Sequence, residues 1–130
     1  MDLRMPPEWW PHERCWMAWP CREELWSDFA ATCRAYRDVA HAIRRYEPVT
    51  MIAAPGRADS ARDLLGSDIE ILEIPVDDSW TRDTGPNFVT GASGELAGVC
   101  FRFNAWGGKY ENFDQDARLA GRVLERLGLP

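Results

Sequence analysis

Ile69-Glu70-Ile71-Leu72-Glu73-Ile74-Pro75-Val76 runs directly into Asp77-Asp78-Ser79-Trp80-Thr81-Arg82-Asp83-Thr84-Gly85-Pro86, and this junction decides the fold. The first eight residues are short, mostly apolar and rich in Ile, which predicts a strand. The next ten hold three carboxylates, one guanidinium and one indole, and they end in the turn pair Gly85-Pro86. A polar loop directly after a strand is where open α/β architectures place their chemistry.

Upstream, Val49-Thr50-Met51-Ile52-Ala53-Ala54 is partly β-branched and is stopped by Pro55-Gly56, so it predicts a buried strand, followed by a short helix over about 58–65. Between Arg22 and Glu47, Leu25, Phe29, Cys33, Tyr36, Ala40 and Ile43 recur every three or four positions. That spacing predicts one amphipathic helix ended by Pro48. Residues 5–21 are rich in Pro and Trp without a sustained period and read as ordered but irregular. Downstream, 87–90 and 96–103 read as a hairpin around Gly91-Ala92-Ser93-Gly94. A second loop, Asn104 to Tyr110, then leads to a helix over about 114–127, closed by Gly128 and Pro130. Strands alternate with helices, so the class is α/β or α+β.

A chain of 130 residues has the length of one domain, and its 45% apolar and 28% charged composition is that of a globular protein. No run approaches the 18 or so apolar residues of a membrane span, and the N-terminus shows no apolar core behind a basic end, so a cytoplasmic location is expected. The net charge of −6 argues against nucleic acid or an anionic membrane as partner and suits a cationic ligand. Cys15, Cys21, Cys33 and Cys100 form no C-x-x-C pair and stand with only His12 and His41. No metal site and no cofactor are expected, and buried reduced thiols are. Seven Trp are more than a small domain buries well, so some of them should line a pocket or an interface.

Within the loop, a carboxylate beside an aromatic face can grip a planar cation through charge-assisted hydrogen bonds and cation–π contact. The same residues also fit an acidic loop in which Arg82 neutralises a neighbour, and the residues alone leave both readings open. Trp80-Thr81-Arg82-Asp83-Thr84-Gly85-Pro86 resembles the W-x-R-D-x-G-P motif of the agmatine deiminase and bacterial, Porphyromonas-type peptidylarginine deiminase family. Residues 5–20, M-P-P-E-W-W-P-H-E-R-C-W-M-A-W-P, resemble the same family's opening segment, with Cys15 where Thr is frequent. Phe103-Asn104-Ala105-Trp106-Gly107-Gly108-Lys109-Tyr110 is a third match in the same order.

The resemblance implies a pentein-type fold, in which ββαβ modules surround a pseudo-fivefold axis, with residues 1–130 as its N-terminal portion and the later modules absent. It implies hydrolysis of a guanidinium to a ureido group and ammonia through a covalent amidino-cysteine. Such chemistry needs a thiolate, a histidine acid/base and carboxylates to hold the guanidinium. Asp83 carries over as a catalytic, substrate-holding carboxylate and Trp80 as a pocket wall. Trp106 reads equally as a pocket or a core residue, and Asp78 first as a turn former and otherwise as a second acidic contact. The nucleophilic Cys and catalytic His are expected outside this chain. His12 reads as a structural hydrogen-bonding residue, and Arg82 as a loop-positioning ion-pair partner. The implied partner is a small guanidine, agmatine or an arginine derivative. The different-class alternative is a non-catalytic pentein portion that binds a partner, self-associates or is complemented by a C-terminal part.

Overall fold

The computed structural model describes residues 2–130. Its centre is a parallel sheet of three strands in the order β2-β3-β4, namely Cys15–Ala18, Val49–Ala53 and Glu70–Glu73. All five residues of β3 are buried, which explains its unbroken apolar run, because a central parallel strand is covered on both faces. Val49, Met51 and Ala53 face one cluster with Ala40 of α1 (Phe29–Arg44) and Ala61 and Leu65 of α2 (Ala58–Leu65). Ile52 faces a second cluster with Ile74, Val76 and, from α5 (Leu119–Leu127), Leu119 and Val123. The parallel sheet is thus the middle layer between two helical layers.

A second sheet is antiparallel in the order β1-β5-β6, built from Leu3–Arg4, Asn87–Gly91 and Leu96–Val99. It meets the core through Phe88 and through Gly98, where a Cβ would overlap the Leu124 side chain of α5. No helix among the described residues is long and apolar enough to cross a membrane.

The fold agrees with the expected α/β class and departs from it in particulars. The first helix begins at Phe29, not Arg22, because Asp28 caps it by accepting the Ala31 N–H at 2.8 Å. Residues 23–25 form a separate 3-10 turn. The segment 5–21, read as irregular, contains the whole of β2, and just before it Leu3–Arg4 pair with β5. Ile74–Val76 leave the strand, and the hairpin's second strand ends at Val99 rather than Phe103. The last helix is preceded by a 3-10 turn at Asp116–Arg118.

Candidate functional site

The polar segment after β4 runs as loop over 77–80 and then makes a helical turn. Thr81–Thr84 form a single helical turn, α3, closed by Gly85 N–H to Thr81 O at 2.8 Å. Gly85 is required there, since a Cβ would stand 2.6 Å from Thr81 O. Within that turn Trp80 and Asp83 are three residues apart and so become neighbours. Arg82 points elsewhere and pairs with Glu8 of the N-terminal segment, an exposed ion pair rather than a partner for Asp83. Exposed pairs of this kind are worth about 0–1 kcal/mol, so its effect is to orient.

The second glycine-rich loop forms the other half. Residues 105–108 make one left-handed turn, α4, with φ of 53° at Ala105, 56° at Trp106, 84° at Gly107 and 79° at Gly108. Asn104 holds the turn, its side chain accepting the Gly107 N–H at 2.9 Å and its carbonyl the Gly108 N–H at 2.8 Å. Left-handed backbone at non-glycine residues costs roughly 1–2 kcal/mol each, and such strain gathers at functional sites. What it achieves here is to set Trp106 against both site residues. The Trp106 indole N–H donates to Asp83 Oδ1 at 3.3 Å, and its ring meets Trp80 edge-on with centroids 6.4 Å apart.

Trp80 is backed on its other side by Trp26, stacked at 6.1 Å with the planes 27° apart, and Trp26 meets Tyr36 edge-on at 6.5 Å. Trp106 extends the wall to Phe103 and Tyr110. Trp80 is 39% exposed, Trp106 46%, and Asp83 is exposed beside them. Trp26 was not singled out from sequence because the long helix reading absorbed it. Glu8 lay unread inside the matched N-terminal segment.

Asp78 is buried and its Oδ1 accepts the Ser79 N–H at 2.8 Å. The Ser79 hydroxyl continues to Tyr36 Oη at 3.1 Å. A mainly apolar groove of about 330 Å³ runs along Tyr36, Val39, Ser79, Trp80 and Arg82. A larger groove of about 520 Å³ opens at the C-terminal ends of the parallel strands, beside Cys21, Arg57 and Asp77, and includes neither Asp83 nor Trp106.

His12 ties the N-terminal segment to the end of the first helix region. Its Nε2 lies 2.7 Å from Glu8 O and its Nδ1 3.2 Å from the Glu47 carboxylate. The cysteines divide: Cys33 is buried, Cys15 and Cys21 are half-buried and Cys100 is exposed, against the expectation that all pack inside. Burial, reinforced by Asp78 and Asp116, pushes the Cys21 thiol up to about 11. Burial also raises Cys15 and Cys33. No thiol hydrogen-bonds a histidine among the described residues, and no group of three His, Cys, Asp or Glu among them could hold a metal ion.

The mixed helix-and-sheet architecture matches solved structures of the pentein type over nearly all of this chain. A profile of the Porphyromonas-type peptidyl-arginine deiminase family matches residues 4–130, and the chain belongs to that family. It is 49% identical to a putative agmatine deiminase of Streptomyces avermitilis, over 97% of this chain and 38% of that protein. To the agmatine deiminase of Pseudomonas aeruginosa it is 44% identical, over 95% of this chain and 35% of the relative. Its structure superposes on the agmatine deiminase of Enterococcus faecalis with a TM-score of 0.93 and 36% identity, covering 98% of this chain and 36% of that one. The chain therefore spans little more than a third of the length of the relatives it matches.

Proposed function

We propose that this chain is the N-terminal portion of a guanidine deiminase, and that Asp83, Trp80 and Trp106 hold the guanidinium of agmatine or of another arginine-derived substrate. The observation that carries the reading is Trp106, which touches Asp83 and Trp80 at once and assembles an exposed carboxylate and two indoles on one wall. Arg82, the residue before Asp83, pairs with Glu8 and not with that carboxylate. The agmatine deiminases among the relatives make agmatine the first substrate to test.

In this scheme Asp83 accepts guanidinium N–H groups while balancing the charge, and the indole faces cover the planar cation. Water replaces one nitrogen, giving a ureido product and ammonia. In this reading the thiolate and histidine that carry the covalent step belong to the remainder of the enzyme, because burial raises Cys21, Cys15 and Cys33 and none of the four thiols among the described residues hydrogen-bonds a histidine. Asp78 shapes the turn that leads into the site.

Asp83→Asn in the full-length enzyme keeps volume but removes charge and presents an NH2 to the substrate's own donors. A charge-assisted pair is worth roughly 1.5–3 kcal/mol and a stranded cation adds desolvation cost, so kcat/KM on agmatine should fall about a hundredfold or more. Trp80→Phe keeps an aromatic face and should cost on the order of 1 kcal/mol. Steady-state kinetics, with folding checked by thermal denaturation, decide it. An Asp83→Asn enzyme within about threefold of wild type would mean that the carboxylate only shapes the turn.

A further inference from the structure

The two acidic residues that open the site segment are tied to the 3-10 turn before the last helix by a reciprocal pair of carboxylate–amide contacts. Asp116, 3% exposed, accepts through Oδ1 the N–H of Asp77 at 2.8 Å and of Asp78 at 3.3 Å. Asp77 answers through Oδ2, accepting the N–H of Gln115 at 2.7 Å and of Asp116 at 3.2 Å. Each carboxylate thus gives one oxygen to two backbone donors of a segment 38 or 39 residues away. Arg122 braces the same junction, donating to Pro75 O at 2.8 Å and to Gln115 Oε1 at 2.7 Å. Backbone from Pro75 to Ser79 is therefore held on both sides up to the residue before Trp80.

We propose that Asp116 is a positioning residue for the Trp80–Asp83 segment and that it acts as a hydrogen-bond acceptor, not as a charge. The functional half of this rests on the reading of that segment as the substrate site. Both amides converge on Oδ1, so Oδ2 can carry a proton without disturbing the tie. The ionisable groups that act on the Asp116 carboxyl are Asp77 and Asp78, both acidic, and its own charge acts on the Cys21 thiol. Arg122 spends its donors on Gln115 and Pro75. Burial lifts the Asp116 carboxyl to about 6, with the Asp77 and Asp78 charges adding to the rise and their amides opposing it, so the neutral acid is within reach of ordinary pH. Asparagine offers the same Oδ1 acceptor. Leucine fills the space but leaves two amide donors unpaired.

The test compares wild type, Asp116→Asn and Asp116→Leu by amide hydrogen exchange at pH 7, with near-ultraviolet circular dichroism reporting the Trp26–Trp80 stack. The Asn variant should keep the protection of the Asp77 and Asp78 amides within about threefold, and the Leu variant should raise their exchange about tenfold or more while Met51 and Ile52 in β3 keep theirs. Should the Leu variant fail to fold, the Asn variant still decides: a folded Asn variant that loses protection at Asp77 and Asp78 overturns the proposal, because charge would then hold the tie. In the full-length enzyme, Leu should lower kcat/KM and Asn should restore it. Faster exchange in the Leu variant with unchanged kinetics would keep the tie but overturn the site reading of the segment.

Discussion

Asp116 and Cys21 are residues whose surroundings move their protons, and both shifts begin with burial. For Asp116 the folded carboxyl, at about 6, holds its proton more tightly than the unfolded chain, at 3.8. A raised carboxyl pKa means that its contribution to stability is complete below about pH 3.8 and is lost as the pH rises through about 6. The stability difference between wild type and Asp116→Asn, measured by urea denaturation from pH 3.5 to 7.5, should therefore move against wild type across that window and level off above it. A flat difference would mean that the carboxyl is not buried as described. For Cys21, a thiol at about 11 is almost wholly protonated at pH 8, so alkylation by iodoacetamide should modify exposed Cys100 first, with Cys21 and buried Cys33 lagging. Peptide mapping after partial alkylation reads that order.

Single turns and caps at the element scale show how local chemistry sets the site. α1 starts where Asp28 supplies an acceptor, although the apolar repeat continues further back through Leu25. Asp28→Ala should cost about 1 kcal/mol in chemical denaturation without loss of fold, because the Ala31 N–H loses its partner. The turn at 105–108 is left-handed throughout, and Gly107 at φ 84° has open space around a would-be Cβ, so Gly107→Ala suffers from backbone strain rather than from a clash. The expected cost is roughly 1 kcal/mol, with weaker Trp106–Trp80 coupling visible in near-ultraviolet circular dichroism. An Ala variant as stable as wild type with an unchanged spectrum would argue that the turn is not strained.

Across the whole molecule, stability depends on the middle sheet being covered twice. Leu119 is fully buried where α5 meets Ile52, Ile74 and Val76, so Leu119→Ala should cost about 2–5 kcal/mol, whereas Val99→Ala, at a residue 40% exposed at the end of β6, should cost under about 1 kcal/mol. Denaturant midpoints of the two variants check the contrast. The same packing assembles the aromatic cluster. Trp80 stands after β4, Trp106 after β6 and Trp26 before α1, and only the packing of both sheets and the first helix brings the three rings together.

The sequence by itself determined the α/β class, β3 and α2 within a residue or so, the hairpin, and the segment that holds Trp80 and Asp83. These were legible because each is written in neighbouring residues: an apolar run between turn formers, a 3.6-residue repeat, a motif of seven positions. β2 was not legible, since its pairing partner lies 34 positions away, Cys15 opposite Val49, and a parallel strand covered on both faces shows no alternation. Nor did local pattern reveal that Arg82 turns to Glu8, that Trp106 rather than Arg82 meets Asp83, or that Asp77 and Asp116 clasp each other's amides. Those contacts join segments 23 to 74 residues apart. Only tertiary structure decides them, because a side chain's partner is set by which backbone ends the packed layers bring within hydrogen-bond reach, and that distance has no local signature in sequence.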